Sequence, residues 1–364
     1  MNYFMPTRLY TGQGCISCHA DALRKLGTTC AIITSGNAAV VSGALGDAQD
    51  ALASCGISSF VYNKITANPS VSSCIEAGRL AHENGAQFIL GIGGGSPLDA
   101  AKAIAVFATN PALDEAGFYA MAWEHDPLPI ALIGTTAGTG SEVTKVAVLT
   151  DGAHRKHSIH DDRLYGAVAF GDSRHTHTCP QPVTLSCGVD VLAHATESYF
   201  SRKADEISRA FAVRAIRLAL EPLAAAVEGS PSAAQREQLY DASILGGLAI
   251  NTTGTCFPHN VGYYLTENYD VPHGFACAVF MPAMLDTVRA YDPAYAAAFY
   301  DEIGASEEAY VSLVKSCLPD LGIHMAADEI SAAVPRWANN GSVKNTRAEV
   351  TMEDIRTILT SMFA

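Results

Sequence analysis

The sequence predicts an α/β protein, with an N-terminal parallel-sheet domain followed by an all-α C-terminal domain. Three observations carry that expectation. Short apolar runs alternate with amphipathic stretches through the first half of the chain. Two glycine-rich loops each follow such a run directly. Strand-like runs then stop after Pro180-Gln181-Pro182, where helical periodicity takes over. The 364 residues are 49% hydrophobic, enough for two cores. The division expected is residues 1–181 and 182–364.

The elements follow in order. A first strand is predicted at 30–34, closing in a Ser35-Gly36-Asn37 turn. Further strands are predicted at 60–62, 87–92 and 129–133, with helices at 71–84 and 97–107 between them. Parallel strands covered on both faces read as continuous apolar runs, as these do. In the second half, 207–227, 233–250 and 328–338 read as helices, with Pro231 and Pro335 near ends or kinks.

Composition excludes several functions. A net charge of −14 repels phosphate backbones, so no nucleic-acid partner is expected. No run of about 18 apolar residues exists, so no membrane span is expected. The first residues lack the charged start and apolar run of a signal peptide. Ten cysteines are scattered singly, apart from Cys15 and Cys18, and no second pair completes a four-cysteine zinc site. They read as free thiols of a reducing compartment, which places the protein in the cytoplasm. His154, His157, His160, His175 and His177 fall in a polar stretch and are expected to be solvated.

The first glycine loop is Leu90-Gly-Ile-Gly-Gly-Gly-Ser-Pro-Leu-Asp-Ala-Ala-Lys102. It follows a strand and opens a helix, with Ser96 as expected N-cap, Pro97 at the first helical position and Asp99 three residues after the cap. Consecutive glycines let an anion approach the backbone, and a helix N-terminus offers it N–H groups. Ser96 stands where the third glycine of Gly-x-Gly-x-x-Gly belongs, so this is not that fingerprint. The second loop, Gly134-Thr-Thr-Ala-Gly-Thr-Gly-Ser-Glu142, brings Thr135, Thr136, Thr139 and Ser141 as uncharged hydrogen-bond donors. Loops at the carboxyl ends of neighbouring strands make a nucleotide site in an open sheet, and the first domain Rossmann-like.

In the second domain, Asp190 and His194 are four residues apart in a helical stretch and share a face. His259 and His273 follow in Phe257-Pro-His-Asn and Val271-Pro-His-Gly. One carboxylate and three imidazoles suit Fe²⁺ or Zn²⁺. Glu197, one turn beyond His194, reads as a supporting or packing partner.

With both loops and both histidine clusters in place, the chain resembles the iron-containing (group III) alcohol dehydrogenase family. The resemblance runs through Gly93-Gly-Gly-Ser-Pro-Leu-Asp-Ala-Ala-Lys102, Thr135-Thr-Ala-Gly-Thr-Gly-Ser-Glu142, Gly188-Val-Asp-Val-Leu-Ala-His-Ala-Thr-Glu197 and Val271-Pro-His-Gly274. It implies that metal and cofactor lie in the cleft between the two domains. It also implies metal ligation by Asp190, His194, His259 and His273, with Fe²⁺ ahead of Zn²⁺. Gly94, Gly95, Ser96 and Asp99 would hold the pyrophosphate of NAD(P). Thr135, Thr136 and Thr139 would touch the nicotinamide half, Lys156 the ribose region, and Gly36 lies in the turn near the adenosine ribose. The substrate implied is a small alcohol or aldehyde, and the assembly a homodimer or larger.

Two departures stand out. Tyr263 occupies a position where many relatives carry a second histidine suspected of proton handling, which makes Tyr263 the candidate relay. The Ser35-Gly36-Asn37 turn lacks the aspartate of many NAD-using relatives, which leans toward NADP, although no Arg or Lys stands in the turn. Two other readings remain open at this point. A dehydroquinate-synthase-like lyase would need Lys and Arg around the histidines, and residues 240–280 contain none. A non-catalytic dinucleotide sensor would have lost metal ligands, and all four are present.

Overall fold

The computed structural model describes residues 3–364. The chain packs as two compact units, one formed by Phe4–Pro180 with Ser232–Tyr240, the other by Gln181–Pro231 with Asp241–Ala364.

The first unit holds a six-stranded sheet. Its strands are β1 (Arg8–Thr11), β2 (Thr29–Ile33), β3 (Ser58–Tyr62), β4 (Phe88–Gly93), β5 (Ile130–Gly134) and, after an intervening hairpin, β8 (Val168–Gly171). The order is β1-β8-β5-β4-β2-β3, and all the pairings are parallel. Alternate residues feed two cores, as a period of two requires. Ile32, Leu90 and Ile133 pack on one face with Leu52 of the Ala44–Ser54 helix. Ile33, Ile89 and Leu132 pack on the other with the Val71–Glu83 and Gly95–Thr109 helices. Every residue of β4 and β5 is buried, which is why both strands read as unbroken apolar runs.

The four strands expected from the sequence are present within a residue or two. Four others were not expected: β1, β8 and the antiparallel hairpin of β6 (Val146–Thr150) with β7 (Lys156–His160). β7 reads Lys-His-Ser-Ile-His and buries only Ile159, so it carries no apolar signal. His157 and His160 therefore sit on a strand. His175 is buried, with Nε2 3.1 Å from Asp47, which corrects the expectation that it is solvated.

The helix after the first glycine loop also differs from expectation. It starts at Gly95 with Gly94 as N-cap, and Ser96 lies inside its first turn. The extended Gly94 backbone winds directly into the helix. Ser96 Oγ instead accepts from Asn68 N at 3.3 Å.

The second unit is helical, and no strand occurs in it among the described residues. The Gln181–Tyr199 and Glu206–Glu228 helices pack together. The latter opens on Asp205, which accepts from Ile207 N and Ser208 N in a capping box. Two shorter helices, Phe257–Tyr269 and His273–Ala278, follow the Ala233–Thr253 helix. The helix expected at 328–338 ends at Ala333 and tightens into a 3₁₀ turn, Val334–Trp337, because Pro335 cannot donate to the helical ladder. No helix among the described residues is long and apolar enough to cross a membrane.

Candidate functional site

In the sheet unit, the two glycine-rich loops interlock. Thr135 N donates to Gly93 O at 2.9 Å. A Cβ on Gly95 would stand 2.7 Å from Thr139 Cγ2, and one on Gly94 2.9 Å from Thr136 Oγ1. Glycine is therefore required for the threonine loop to lie against the helix start. Thr135 is buried, as are Ala137 and Ser141. Gly94, Gly95 and Ser96 occupy the N-terminal end of a 15-residue helix, where backbone N–H groups have no helical acceptor.

Beneath the loops lies a buried polar brace. Asp99 Oδ1 accepts from Ser141 Oγ at 2.6 Å, and Oδ2 accepts from Val148 N at 3.0 Å. Lys102 is fully buried and donates to Ser141 O, Ser141 Oγ, Thr144 Oγ1 and Val146 O. Burial pulls the Lys102 ammonium down from its ordinary range, against the pull of Asp99 and Glu142. Asp99 and Lys102 tie the helix to the second loop and to β6. Lys156, on β7, donates to Asn68 Oδ1 at 3.0 Å. Asn68 links three pieces: its N–H goes to Ser96, its carbonyl accepts from Thr150 Oγ1, and its side chain meets Lys156. Its left-handed backbone (φ 53°) suits asparagine. Gly36 is also left-handed (φ 47°), and its N–H donates to Asn63 O, which shapes the exposed turn after β2.

In the helical unit, three imidazoles converge on one oxygen. Asp190 Oδ1 lies 3.7 Å from His194 Nε2, 3.5 Å from His259 Nε2 and 3.8 Å from His273 Nε2. These separations exceed the 2.7–3.2 Å of a good hydrogen bond. They match the roughly 3.4 Å edge of a tetrahedron whose centre is about 2.1 Å from each N or O donor. Asp190 Oδ1 and His259 Nε2 are buried and have no hydrogen-bond partner. An oxygen and a nitrogen left bare at that spacing fit a divalent cation between them. Burial alone would raise the Asp190 carboxyl, but His194, His273 and His259 outweigh it and hold it below the usual carboxylate range.

The local architecture explains the convergence. Asp190 and His194 are one turn apart on the Gln181–Tyr199 helix. His259 sits in the first turn of the Phe257–Tyr269 helix, and His273 opens the next. A Cβ on Gly274 would overlap the carbonyl of Ser186, so glycine there lets the His273 helix reach the Asp190 helix. Glu197 orients His259: its Oε1 lies 2.5 Å from His259 Nδ1, while Oε2 accepts from Cys256 N at 2.6 Å. The His194 and His259 rings stack with centroids 4.6 Å apart. The His273 side chain is 26% exposed while the other three are nearly closed off, so the cluster meets solvent at His273. Tyr263 lies there, its ring centroid 5.8 Å from that of His273.

Sequence reasoning did not single out Cys277. Its sulfur lies near Asp190, His259 and His273, with one donor atom from each of the four within 4.8 Å of the others. The only signal was its place one turn after His273. A second cluster, Asp47, Asp172 and His175, has similar spacing. Arg174 already supplies its positive charge, with Nη2 on both Asp47 and Asp172.

Comparison with known proteins gives a consistent result. Residues 6–173 match the family model for iron-containing alcohol dehydrogenase, and residues 184–363 match that for the C-terminal part of the Fe-containing alcohol dehydrogenase family. The chain is 32% identical over 288 residues to 1,3-propanediol dehydrogenase from Citrobacter freundii, covering 77% of this chain and 73% of that one. The crystal structure of an iron-containing alcohol dehydrogenase from Thermotoga maritima is similar, with a TM-score of 0.91, 30% identity and coverage of 99% and 98%. Sulfoacetaldehyde reductase from Bifidobacterium kashiwanohense, solved with NAD⁺, gives a TM-score of 0.86 at 27% identity, with coverage of 99% and 98%.

Proposed function

The chain belongs to the iron-containing alcohol dehydrogenase family, and from that premise we propose how its residues divide the work of a metal-dependent, nicotinamide-linked alcohol dehydrogenase or aldehyde reductase. The substrate is a small alcohol and its aldehyde. Asp190, His194, His259 and His273 hold a divalent cation, Fe²⁺ first and Zn²⁺ second. The observation that carries this is the single Asp190 oxygen facing three imidazole nitrogens at 3.5–3.8 Å.

When bound, the cation supplies Lewis acidity to an alcohol or carbonyl oxygen and the dinucleotide supplies the hydride chemistry. The protein's part is placement, because hydride transfer requires reacting atoms about 3–3.5 Å apart. Gly94, Gly95 and Ser96 present backbone N–H groups to the pyrophosphate. Thr135, Thr136 and Thr139 hold the nicotinamide half. Asp99 serves the same site by bracing: both of its oxygens already accept protein hydrogens, so it holds the second loop in place. Lys156, steadied by Asn68, reaches toward the ribose, and the Gly36 turn borders the adenosine end. Tyr263, beside the exposed edge of His273, carries the hydroxyl proton between substrate and solvent.

We assign dinucleotide binding to the 1–181 division, which Ser232–Tyr240 joins, and metal and substrate binding to the rest of 182–364. We place the enzyme in the cytoplasm as a homodimer or larger. The test is a panel of short alcohols and aldehydes, read at the nicotinamide absorbance band, with protein purified without oxygen and supplied with Fe²⁺ or Zn²⁺. Turnover that depends on the added metal is expected. Absence of turnover with every substrate, in protein that holds one metal per chain, would overturn the reading.

A further inference from the structure

We infer that Tyr240 is a positioning residue for the threonine loop: through Glu142, its hydroxyl holds the two ends of Gly134–Glu142 together and so sets where Thr136 and Thr139 stand. The inference rests on the reading of those threonines as contacts to the nicotinamide half. It extends that reading to a residue 98 positions beyond Glu142.

The two ends of the loop meet at one phenol. Gly134 closes β5, and a Cβ there would overlap both Glu142 Oε1 and the Tyr240 hydroxyl. Gly171 closes β8, and a Cβ there would stand 2.6 Å from Tyr240 Cε1. Glycine at both strand ends thus makes room for the ring. Tyr240 and Glu142 are buried, and the hydroxyl donates to Glu142 Oε1 at 2.7 Å. Burial and the neighbouring Glu142 push the Tyr240 phenol well above its ordinary range, so it keeps its proton and remains the donor.

Tyr240 arrives on a segment that packs with the sheet unit, Ser232–Tyr240, although the rest of the Ala233–Thr253 helix does not. One turn earlier, Arg236 donates to Thr176 O at 2.7 Å and to Cys179 O at 3.4 Å. Cys179 Sγ in turn donates to Thr135 O at 3.5 Å. The segment therefore reaches the loop at its start and at its end. Within Gly134–Glu142 only Thr136 and Thr139 are part-exposed, and the remainder is buried. A buried carboxylate needs a donor. Without the phenol, Glu142 Oε1 loses this one, the neck of the loop is free to open, and the two threonines move with it.

The test is Tyr240→Phe, which keeps the ring and removes the hydroxyl. Calorimetric titration compares NADH or NADPH, whichever the wild type binds more tightly, with ADP-ribose or its 2′-phosphate, which carry the pyrophosphate without the nicotinamide. Affinity for the dinucleotide should fall about tenfold. Affinity for the ADP-ribose probe and metal content should hold. Equal losses for both probes would show a general defect of the fold and overturn the inference, as would no loss for either. Hydrogen exchange of the ligand-free wild type decides even if the variant does not fold. The Thr135 N–H, held on Gly93 O, should exchange as slowly as the amides of β5. Fast exchange at Thr135 would mean that the neck is not closed, and overturns the inference. A wild type that binds neither probe would instead sink the reading of the loops as a nucleotide site.

Discussion

Glu197 and His259 form the tightest hydrogen bond around the candidate metal centre, Oε1 to Nδ1 at 2.5 Å, and both side chains are closed to solvent. A carboxylate only accepts, so Nδ1 carries the proton and Nε2 is left bare toward Asp190. The pairing sets both the tautomer and the ring orientation. The second Glu197 oxygen takes Cys256 N, which locks the start of the helix that carries His259.

Replacing Glu197 therefore acts on the metal without touching it. In Glu197→Gln one carboxylate oxygen becomes an NH₂ group facing a donor. One buried N–H loses its acceptor, at a cost of about 1–3 kcal/mol. Metal affinity should fall about 10–100-fold. Calorimetric titration with Zn²⁺ reads the affinity and thermal denaturation the stability. Unchanged affinity would mean that the pairing does not orient His259.

The ligands themselves should behave differently. Asp190→Ala and His273→Ala are expected to lose metal and turnover together while keeping dinucleotide affinity, because the glycine loops belong to the other unit. Metal content by elemental analysis and dinucleotide binding by fluorescence separate the two effects. Full metal stoichiometry in both variants would refute the ligand set.

The glycine loops offer a test by rescue. Gly95→Ala places a methyl 2.7 Å from Thr139 Cγ2, so one loop must move. Such overpacking costs about 1–3 kcal/mol. The KM for dinucleotide should rise, with metal content unchanged. Adding Thr139→Ser removes the offending Cγ2 and should restore much of the loss. Additive damage in the double variant would show that the two side chains do not couple.

What the sequence reveals and hides follows from how local each cause is. β4 and β5 were legible because strands buried on both faces have only apolar residues to show. β7 was not, since Lys156, His157, Ser158 and His160 surround a single buried Ile159. Asp190 and His194 were legible from helical spacing, and His259 and His273 from their motifs. Glu197 was legible only as a supporting residue. Its partner is 62 positions away, and no pattern spans that gap. Ser96 misled because local capping preference favours it, yet the glycine backbone starts the helix earlier and Asn68 takes its hydroxyl. Asp99 misled in the same way: a local rule made it a capping residue, and tertiary partners, Ser141 and Val148, claimed both oxygens.

Acid stability should depend on Asp172, which follows the end of β8. Its side chain is fully buried. Burial alone would raise the carboxyl above its ordinary 3.8, but Arg174, the Gly14 N–H and the Arg174 N–H outweigh it and hold it lower. The unfolded chain then takes up the proton at a higher pH than the folded one. The stabilisation is therefore complete above about pH 4 and is lost as pH falls through the lowered folded value. Asp172→Asn removes this dependence: the variant should be less stable than wild type at pH 7, and the gap should narrow as pH drops below about 4. Chemical denaturation at a series of pH values measures both curves. A gap that stayed constant across that range would mean that Asp172 titrates alike in the folded and unfolded chains, and that the Arg174 contact contributes no linkage.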